Sequence, residues 1–565
     1  MGRFFLFMAS FLSLIRTILG HFCLFLAWTI PDIIPPWDTF HHEFAIVTGI
    51  SLLMPWKKMS VLPSRITALM LLWCCYIILQ IPIHGLQWDD VAFGLIFAAL
   101  FCMAAQQGAQ AIALAPVEKS THPIYSIRSW CHVILIAGVA SAIIGLAQWT
   151  DVSLGLWMTE SAGRAYANFA QPNHLATLLV MAFAALIYLD RETFPRAVIY
   201  GFAILLCSAL AVTESRTGAL SFALLCFLIT VFGPRANLTR TLRWLLPSFL
   251  LFAVIYTNLS LIAPLFGGVV LRSGIGLNPT GRIEIWHQMF AALRAEPSVG
   301  YGWLQLGATH YKILPNFDSL VNVDHAHNLF LDLLIWFGIP MGGIFILAGG
   351  VLCVRMVIRA LGSKMDHQSL CLVAMLLPIG VHSMLEYPYA YLYFSLVVGF
   401  FAGALEVKVL SAYIISIRVR KIIQIIVIST LAICIWIAFE YYKIEEDYRA
   451  MRLENQFITR SEERHKFHSR PILLTQYGDL VASQRNDIQV PSDSHAVDVA
   501  RHLTLRFPWL STHLHYYIAL LRKNHCQEAN EQWKIYKALF GRFGELKADA
   551  IIAKLAIKPT CQDNN

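Results

Sequence analysis

"VDHAHNLFLDLLIWFGIPMGG", residues 323–343, sets four polar groups against an apolar helix. From Leu329 to Gly343 the run is apolar but for Asp332, and it continues to about residue 352, long enough to cross about 30 Å of hydrocarbon at about 1.5 Å per residue. Asp324, His325, His327 and Asn328 precede it within five residues. One reading rests these groups in the lipid headgroup layer; another gives them chemistry. Asn328 is a favoured N-cap type for a helix beginning at Leu329. His327 then sits at the positive end of the helix dipole, whose field favours a neutral ring able to accept a proton and also attracts an anion. His325 shares a side with His327 if the approach is extended, and points elsewhere if it is helical.

The whole chain carries the same texture. Its 565 residues are 57% hydrophobic and 14% charged, against about a quarter charged in soluble proteins. Hydropathy predicts about thirteen membrane helices, near 11–30, 42–56, 66–83, 90–113, 129–149, 173–189, 197–213, 218–233, 243–260, 327–352, 369–385, 391–407 and 421–438. The fold class is therefore an all-α polytopic membrane protein. The first apolar segment runs into "IPDIIPPW" without a small-residue cleavage site and reads as a retained span. Alternate connections carry Lys57, Lys58 and Arg65; Lys119 and Arg128; Arg191 and Arg196; Arg235, Arg240 and Arg243; Arg355, Arg359 and Lys364; and Lys408, Arg418, Arg420 and Lys421. By the positive-inside rule the N-terminus is cytoplasmic, and the loop 261–326 and the tail 439–565 are external. The net charge of +8 is thus spread over cytoplasmic connections, which argues against a nucleic-acid partner. The division is a membrane domain, 1–438, and a C-terminal helical domain, 439–565.

Ten of the twelve cysteines fall in or beside apolar spans, as small buried hydrophobes do. The tail holds Cys526 and Cys561, which form one disulfide if the compartment is oxidising. From Pro508, "PWLSTHLHYYIALLRKN" and "CQEANEQWKIYKALFGRFG" read as two amphipathic helices.

The external face breaks the charge rule almost entirely with arginine. Arg164 lies in "ESAGRAYANFAQPNHLATLL", Arg216 in the tight turn "TESRTGAL", and Arg272, Arg282 and Arg294 in the long loop with Lys312. Cations beside spans are costly and usually face a cavity or a partner. The planar arginine fork suits phosphate oxygens. For Arg272 or Arg294 alone, snorkelling to the headgroups explains the residue equally well. A base beside an anion site, with arginines on the same face, is what displacement of a phosphate leaving group by a hydroxyl requires. Zinc is a weaker reading of the Asp/His cluster, because no second Cys/His group stands at ligand spacing.

These motifs resemble a known superfamily. "HAHNLFLDLLIWFGIPMGG" resembles the His-Asn-x-x-Leu…Gly-x-x-Gly signature of the O-antigen ligases and O-antigen polymerases, and "SRTGAL" resembles their Ser-Arg turn. "GRIEIWHQMFAALRAEPSVGYGWLQ", residues 281–305, is similar to their external-loop pattern. "NFAQPNHLATLL" (168–179), "HSMLEYPYAYLYF" (382–394) and the early "IPPWDTFHHEF" resemble the protein-glycosylating branch, the O-linked oligosaccharyltransferases called PglL. The resemblance implies a GT-C-like fold in the bacterial inner membrane, with the long loop, tail and active site periplasmic. It implies transfer of a preassembled glycan from undecaprenyl diphosphate to Ser/Thr hydroxyls of periplasmic proteins such as type IV pilin, with no cofactor, nucleotide or metal.

On that resemblance His327 is the base, and Arg216 and Arg282 hold the diphosphate. Gln171, Asn173 and His174 line the substrate cavity, with Arg164, His325 and Asn328 as further substrate contacts. For His174 a helix-start signal of polar residue, Pro and Asn is nearly as good an account. Glu386, just outside a span, is expected to orient an arginine or His327. Tyr387, Tyr389, Tyr391 and Tyr393 fit an interfacial aromatic belt as well as they fit sugar platforms. The same machinery serves a lipid A core ligase or an O-antigen polymerase. A lipid or solute transporter, from a different class, should place its polar groups near mid-bilayer on interrupted helices, whereas here they gather at one face.

Overall fold

The computed structural model describes the chain except at residues 1, 32, 34, 57–58, 115–125, 160–162, 191–193, 269, 271–279, 411, 456–465, 485–495 and 555–565. Arg272, Cys561 and the connection residues Lys57, Lys58, Lys119 and Arg191 therefore lie outside the described residues. The helices are α1 (Gly2–Leu26), α2 (Phe40–Leu52), α3 (Ser64–His84), α4 (Trp88–Ala113), α5 (Ile127–Trp149), α6 (Pro172–Leu189), α7 (Arg196–Val212), α8 (Arg216–Phe232), α9 (Thr239–Thr257), α10 (Leu259–Ile262), α11 (Thr280–Ala295), α12 (Ala308–Ile313), α13 (Leu329–Ala360), α14 (His367–Ser383), α15 (Leu392–Val409), α16 (Ile417–Asn455), α17 (Thr475–Ser483), α18 (Ala496–Arg506), α19 (Leu510–Arg522) and α20 (Cys526–Lys554). Among the described residues the β-structure is one antiparallel pair, Val61–Leu62 against Tyr413–Ile414.

Each of the thirteen predicted stretches lies on a helix, α1–α9 and α13–α16. Eight helices among the described residues are long and apolar enough to cross a bilayer, or nine if α9 and the segment to Leu265, bent by 70°, form one span. α7, α14 and the segment Phe11–Leu26 are shorter apolar helices. The protein is a polytopic helical membrane protein, with eight or nine helices of spanning length among the described residues.

Two packing devices fix the parts that carry the site. The first joins α4 to α15. A Cβ at Gly108 would lie 1.8 Å from the Phe400 carbonyl, and one at Gly403 would lie 2.1 Å from that of Ala105. Small residues let the two backbones touch, which is how helices associate where lipid supplies no hydrophobic drive. α15 is thereby held rigid beneath the connection 384–391.

The second breaks α13. Gly338 has φ +74°, so residues 329–337 form a short segment of about 13 Å, well under a bilayer, and the longer part follows the break. The span predicted over 327–352 thus shifts towards the C-terminal side of Gly338. The backbone groups freed at the break are met by the loop 297–302. Tyr301 N–H donates to Ile335 O (2.8 Å), Gly302 N–H to Trp336 O (3.1 Å), and Ile339 N–H to Pro297 O (2.7 Å). Gln80 on α3 adds a hydrogen bond to Trp336 O at 2.9 Å. Interrupted helices survive in membranes only where protein groups satisfy the backbone in this way. The Gly-x-Gly of the loop and the first glycine of the helix signature are two sides of one lock.

α16 runs 39 residues, roughly 58 Å, and extends past any bilayer; the boundary drawn at residue 438 falls inside it. The tail packs back on the long loop and the α3–α4 turn. Gln476 donates to Asp90 (2.8 Å), Gly307 N–H to Leu505 O (3.1 Å), and Tyr311 to Gln532 (2.6 Å). The two amphipathic helices read from Pro508 are α19 and α20, an antiparallel hairpin stacked through Tyr517 and Trp533. α17 and α18 were not foreseen. Cys526 is disulfide-bonded, and the ten described cysteines of the membrane domain are free.

Candidate active site

Asn328 caps α13 as its sequence position predicts, accepting from Phe330 N–H and Leu331 N–H at 3.0 and 3.1 Å. Its amide also donates to Met384 O at 2.9 Å, which ties the helix start to the connection 384–391. Asn328 is thus occupied as a positioning residue. His327, one residue earlier, has φ +55°, a left-handed conformation that a β-substituted residue adopts only where the surroundings enforce it. That turn carries its ring to Glu386, with Nδ1 2.7 Å from Oε2.

Glu386 is the hub. Its other oxygen, Oε1, receives a hydrogen bond from the Arg282 guanidinium of α11 and one from Asn173 Nδ2 at 3.2 Å. Asn173, in the first turn of α6, accepts from Ser215 Oγ at 2.6 Å. Ser215 in turn caps α8 by accepting from Gly218 N–H at 2.9 Å, so Arg216 follows directly as the first residue of that helix. Arg164 donates from Nε to Thr213 O, 2.9 Å, on the approach to the same turn. Five of the expected site residues, distant in sequence, are therefore joined through one carboxylate and one turn. Arg216 is exposed on that turn.

Burial pushes the Glu386 carboxyl up, but the hydrogen bond and charge of His327, with the charge of Arg282, outweigh it and hold the group at about 2. An ionised carboxylate accepts and cannot donate, so the proton in the His327–Glu386 bond sits on Nδ1. Nε2 is then the ring atom left to take a proton.

A second dyad stands beside the first. His325 Nδ1 lies 2.8 Å from Oδ2 of Asp332, a fully buried residue of α13. The same carboxylate accepts from Ala326 N–H (2.7 Å) and from the Tyr389 hydroxyl (2.5 Å). The Tyr387 ring divides the two dyads, stacked on His325 at 4.6 Å and edge-on to His327 at 4.9 Å. Burial, reinforced by the charges of Asp324 and Glu386, pushes the Tyr387 phenol up to about 12, so its hydroxyl keeps its proton. The tyrosines are thus built into the site and its core, and the belt reading does not hold for them; Tyr393 is 1% exposed. Asp332, Tyr387 and Tyr389 were missed as site residues. A lone carboxylate one turn into an apolar helix was the available signal.

His174 is placed differently from the cavity-lining role expected of it. It is fully buried, with Gln171 Nε2 at 2.8 Å from Nε2 and the Tyr393 hydroxyl at 2.7 Å from Nδ1. With both nitrogens engaged, Gln171 and His174 pack behind Asn173 and hold the start of α6. Arg294 is exposed and donates to Phe290 O at 3.3 Å, and Lys312 pairs with Glu296 at 2.7 Å; neither reaches the Glu386 hub. Among the described residues no three His, Cys, Asp or Glu side chains are gathered as a metal site.

Known proteins match the chain over these same elements. Residues 165–189 match the family described as protein glycosylation ligase, and 201–347 match O-antigen ligase. Residues 370–549 match the C-terminal region of virulence factor membrane-bound polymerase. The general O-oligosaccharyltransferase of Acinetobacter baylyi is 27% identical over 444 residues, 74% of this chain and 75% of its own. This chain is a PglL-type relative within the O-antigen ligase superfamily. The ComP-specific O-oligosaccharyltransferase of the same organism is 24% identical over 413 residues, 69% of this chain and 70% of its own. The chain is accordingly a glycosyltransferase-type enzyme. The three family matches between them contain Asn173, Arg216, Arg282, His327 and Glu386, and the third takes in most of the tail.

Proposed function

We propose that this PglL-type protein transfers a preassembled glycan from undecaprenyl diphosphate to Ser or Thr hydroxyls of periplasmic proteins, type IV pilin being the first acceptor to test. It would do so from the inner membrane, crossed about thirteen times, with its active site and C-terminal tail on the periplasmic side. The observation that carries the reading is the His327–Glu386–Arg282 constellation, in which one buried carboxylate orients both a base and a cation.

The acceptor hydroxyl approaches the anomeric carbon of the lipid-linked sugar. His327 Nε2 takes the hydroxyl proton as the new C–O bond forms. The bond to the diphosphate oxygen breaks, and the electron pair leaves with the diphosphate. Arg216 and the guanidinium donors of Arg282 not used by Glu386 meet the charge that develops there, normally the largest single electrostatic contribution. A single displacement inverts the anomeric centre and needs no metal. His325, held by Asp332, faces the other side of Tyr387 and contacts donor or acceptor.

The two A. baylyi relatives, one named a general and one a ComP-specific O-oligosaccharyltransferase, support protein as the acceptor class. The test is the intact mass of a co-expressed pilin in cells that supply a lipid-linked glycan. A glycan-sized increment that depends on this protein supports the reading. An unchanged pilin together with glycan newly attached to lipid A core would replace it with the ligase alternative.

A further inference from the structure

α6 and α7 each lead from the Glu386 hub to the other end of the bundle, about 26 Å away for helices of 18 and 17 residues, close to the thickness of the hydrocarbon core. At that far end Arg196 opens α7, and Arg240 and Arg243 lie in the first two turns of α9. With Asp190, Tyr200 and Trp244 they surround a cavity of about 50 Å³. That is room for a small tetrahedral anion.

The charges around this cavity do not satisfy one another. Asp190 is 3% exposed and receives hydrogen bonds on Oδ2 from Thr241 (2.8 Å) and Trp244 (3.0 Å). Its Oδ1 is buried with no donor. Among the described residues, none of the three arginine side chains is in an ion pair or a hydrogen bond. Three guanidinium groups converging without a counter-ion repel one another, and each presents the fork that fits phosphate oxygens. The positive-inside rule asks only for charge somewhere in these connections. It does not ask three arginines from two helices to face one cavity beside a buried carboxylate oxygen. Tyr200 and Trp244 add the aromatic pair typical of the membrane–water boundary.

We infer that this cluster binds the phosphate of a phospholipid headgroup in the leaflet opposite His327, with a headgroup hydroxyl or ammonium donating to Asp190. The site is independent of the glycosyl-transfer reading.

The test uses the full-length protein in detergent after removal of native lipid. Dioctanoyl phosphatidylglycerol, phosphate-free dioctanoylglycerol and inorganic phosphate are titrated separately, with native mass spectrometry and thermal midpoint as readouts. One tightly held phosphatidylglycerol is expected, weakened at least tenfold by Arg196→Gln/Arg240→Gln/Arg243→Gln and less by the triple Lys variant. Where the Gln variant fails to accumulate because these charges set topology, the Lys variant carries the comparison. Inorganic phosphate that binds and stabilises as well as the lipid would identify free phosphate as the ligand of the same site. Equal lipid affinity in wild type and variants, or dioctanoylglycerol binding as tightly as phosphatidylglycerol, would overturn the inference.

Discussion

His327 Nδ1 lies 2.7 Å from Glu386 Oε2, and the second oxygen of that carboxylate is taken by Arg282 and Asn173. One side chain therefore sets the ring orientation and tautomer of His327, the proposed base, while it anchors Arg282, the cation proposed to meet the leaving group. Glu386→Gln should lower kcat by about two to four orders of magnitude, the span general-base assistance usually supplies. The protein should still insert and retain the lipid-linked donor. Steady-state transfer with a purified donor and acceptor checks this; a loss below fivefold would leave Glu386 a merely structural partner.

The same carboxylate makes stability depend on pH. Its folded value, about 2, is depressed from the ordinary 4.5, so it stabilises the fold above about pH 4.5 and loses that contribution as pH falls towards 2. Thermal midpoints of wild type and Glu386→Gln should differ most at pH 6–7, still differ at pH 4, and converge only as pH falls towards about 2. A gap constant across that range would contradict the assignment.

Arg216 begins α8 exposed, on a turn tied to Asn173 through Ser215. Arg216→Lys keeps the charge and loses the bidentate fork. Transfer should fall at least tenfold in kcat/KM with normal membrane insertion. Near-normal turnover would remove Arg216 from the diphosphate site.

Gly338 and Gly300 meet where α13 breaks. A Cβ on Gly338 would lie 2.4 Å from Ser298 O, at a φ of +74° that side chains rarely adopt. Gly338→Ala should cost about 2–4 kcal/mol, combining backbone strain with the clash, and lower the thermal midpoint in detergent. It should also reduce transfer, because the segment carrying His327 is aimed by this break. A wild-type midpoint would mean that the loop 297–302 is free to move aside.

How much of this was legible in the sequence follows from the range over which each signal acts. Spans are local: each of the thirteen stretches picked by run length falls on a helix, eight or nine of them long and apolar enough to cross a bilayer, and the cap at Asn328 located the start of α13 to the residue. Convergence at the site was legible only as a list of types. Glu386 stood out as a carboxylate beside a span, but its sharing between His327 and Arg282 depends on three elements meeting. The break at Gly338 was hidden because the groups that satisfy it come from Pro297, Tyr301, Gly302 and Gln80, distant in sequence. Interrupted helices are also a mark of transporters, so the break in α13 narrows that contrast, and the relatives carry the distinction instead. Asp332 gives no local signal of its pairing because its partner histidine lies before the helix. The tyrosines stay open to two readings in sequence because alternate spacing around Pro388 looks the same in a belt and in a buried turn.

The central claim is that His327 Nε2 takes the acceptor proton. The most direct measurement is glycan transfer to a purified acceptor by wild type and His327→Ala at matched amounts in membranes, with donor binding measured on the same samples. The account predicts transfer reduced below detection in the variant while donor affinity stays within about threefold, since the base contributes to the chemical step. Wild-type turnover by His327→Ala would contradict it.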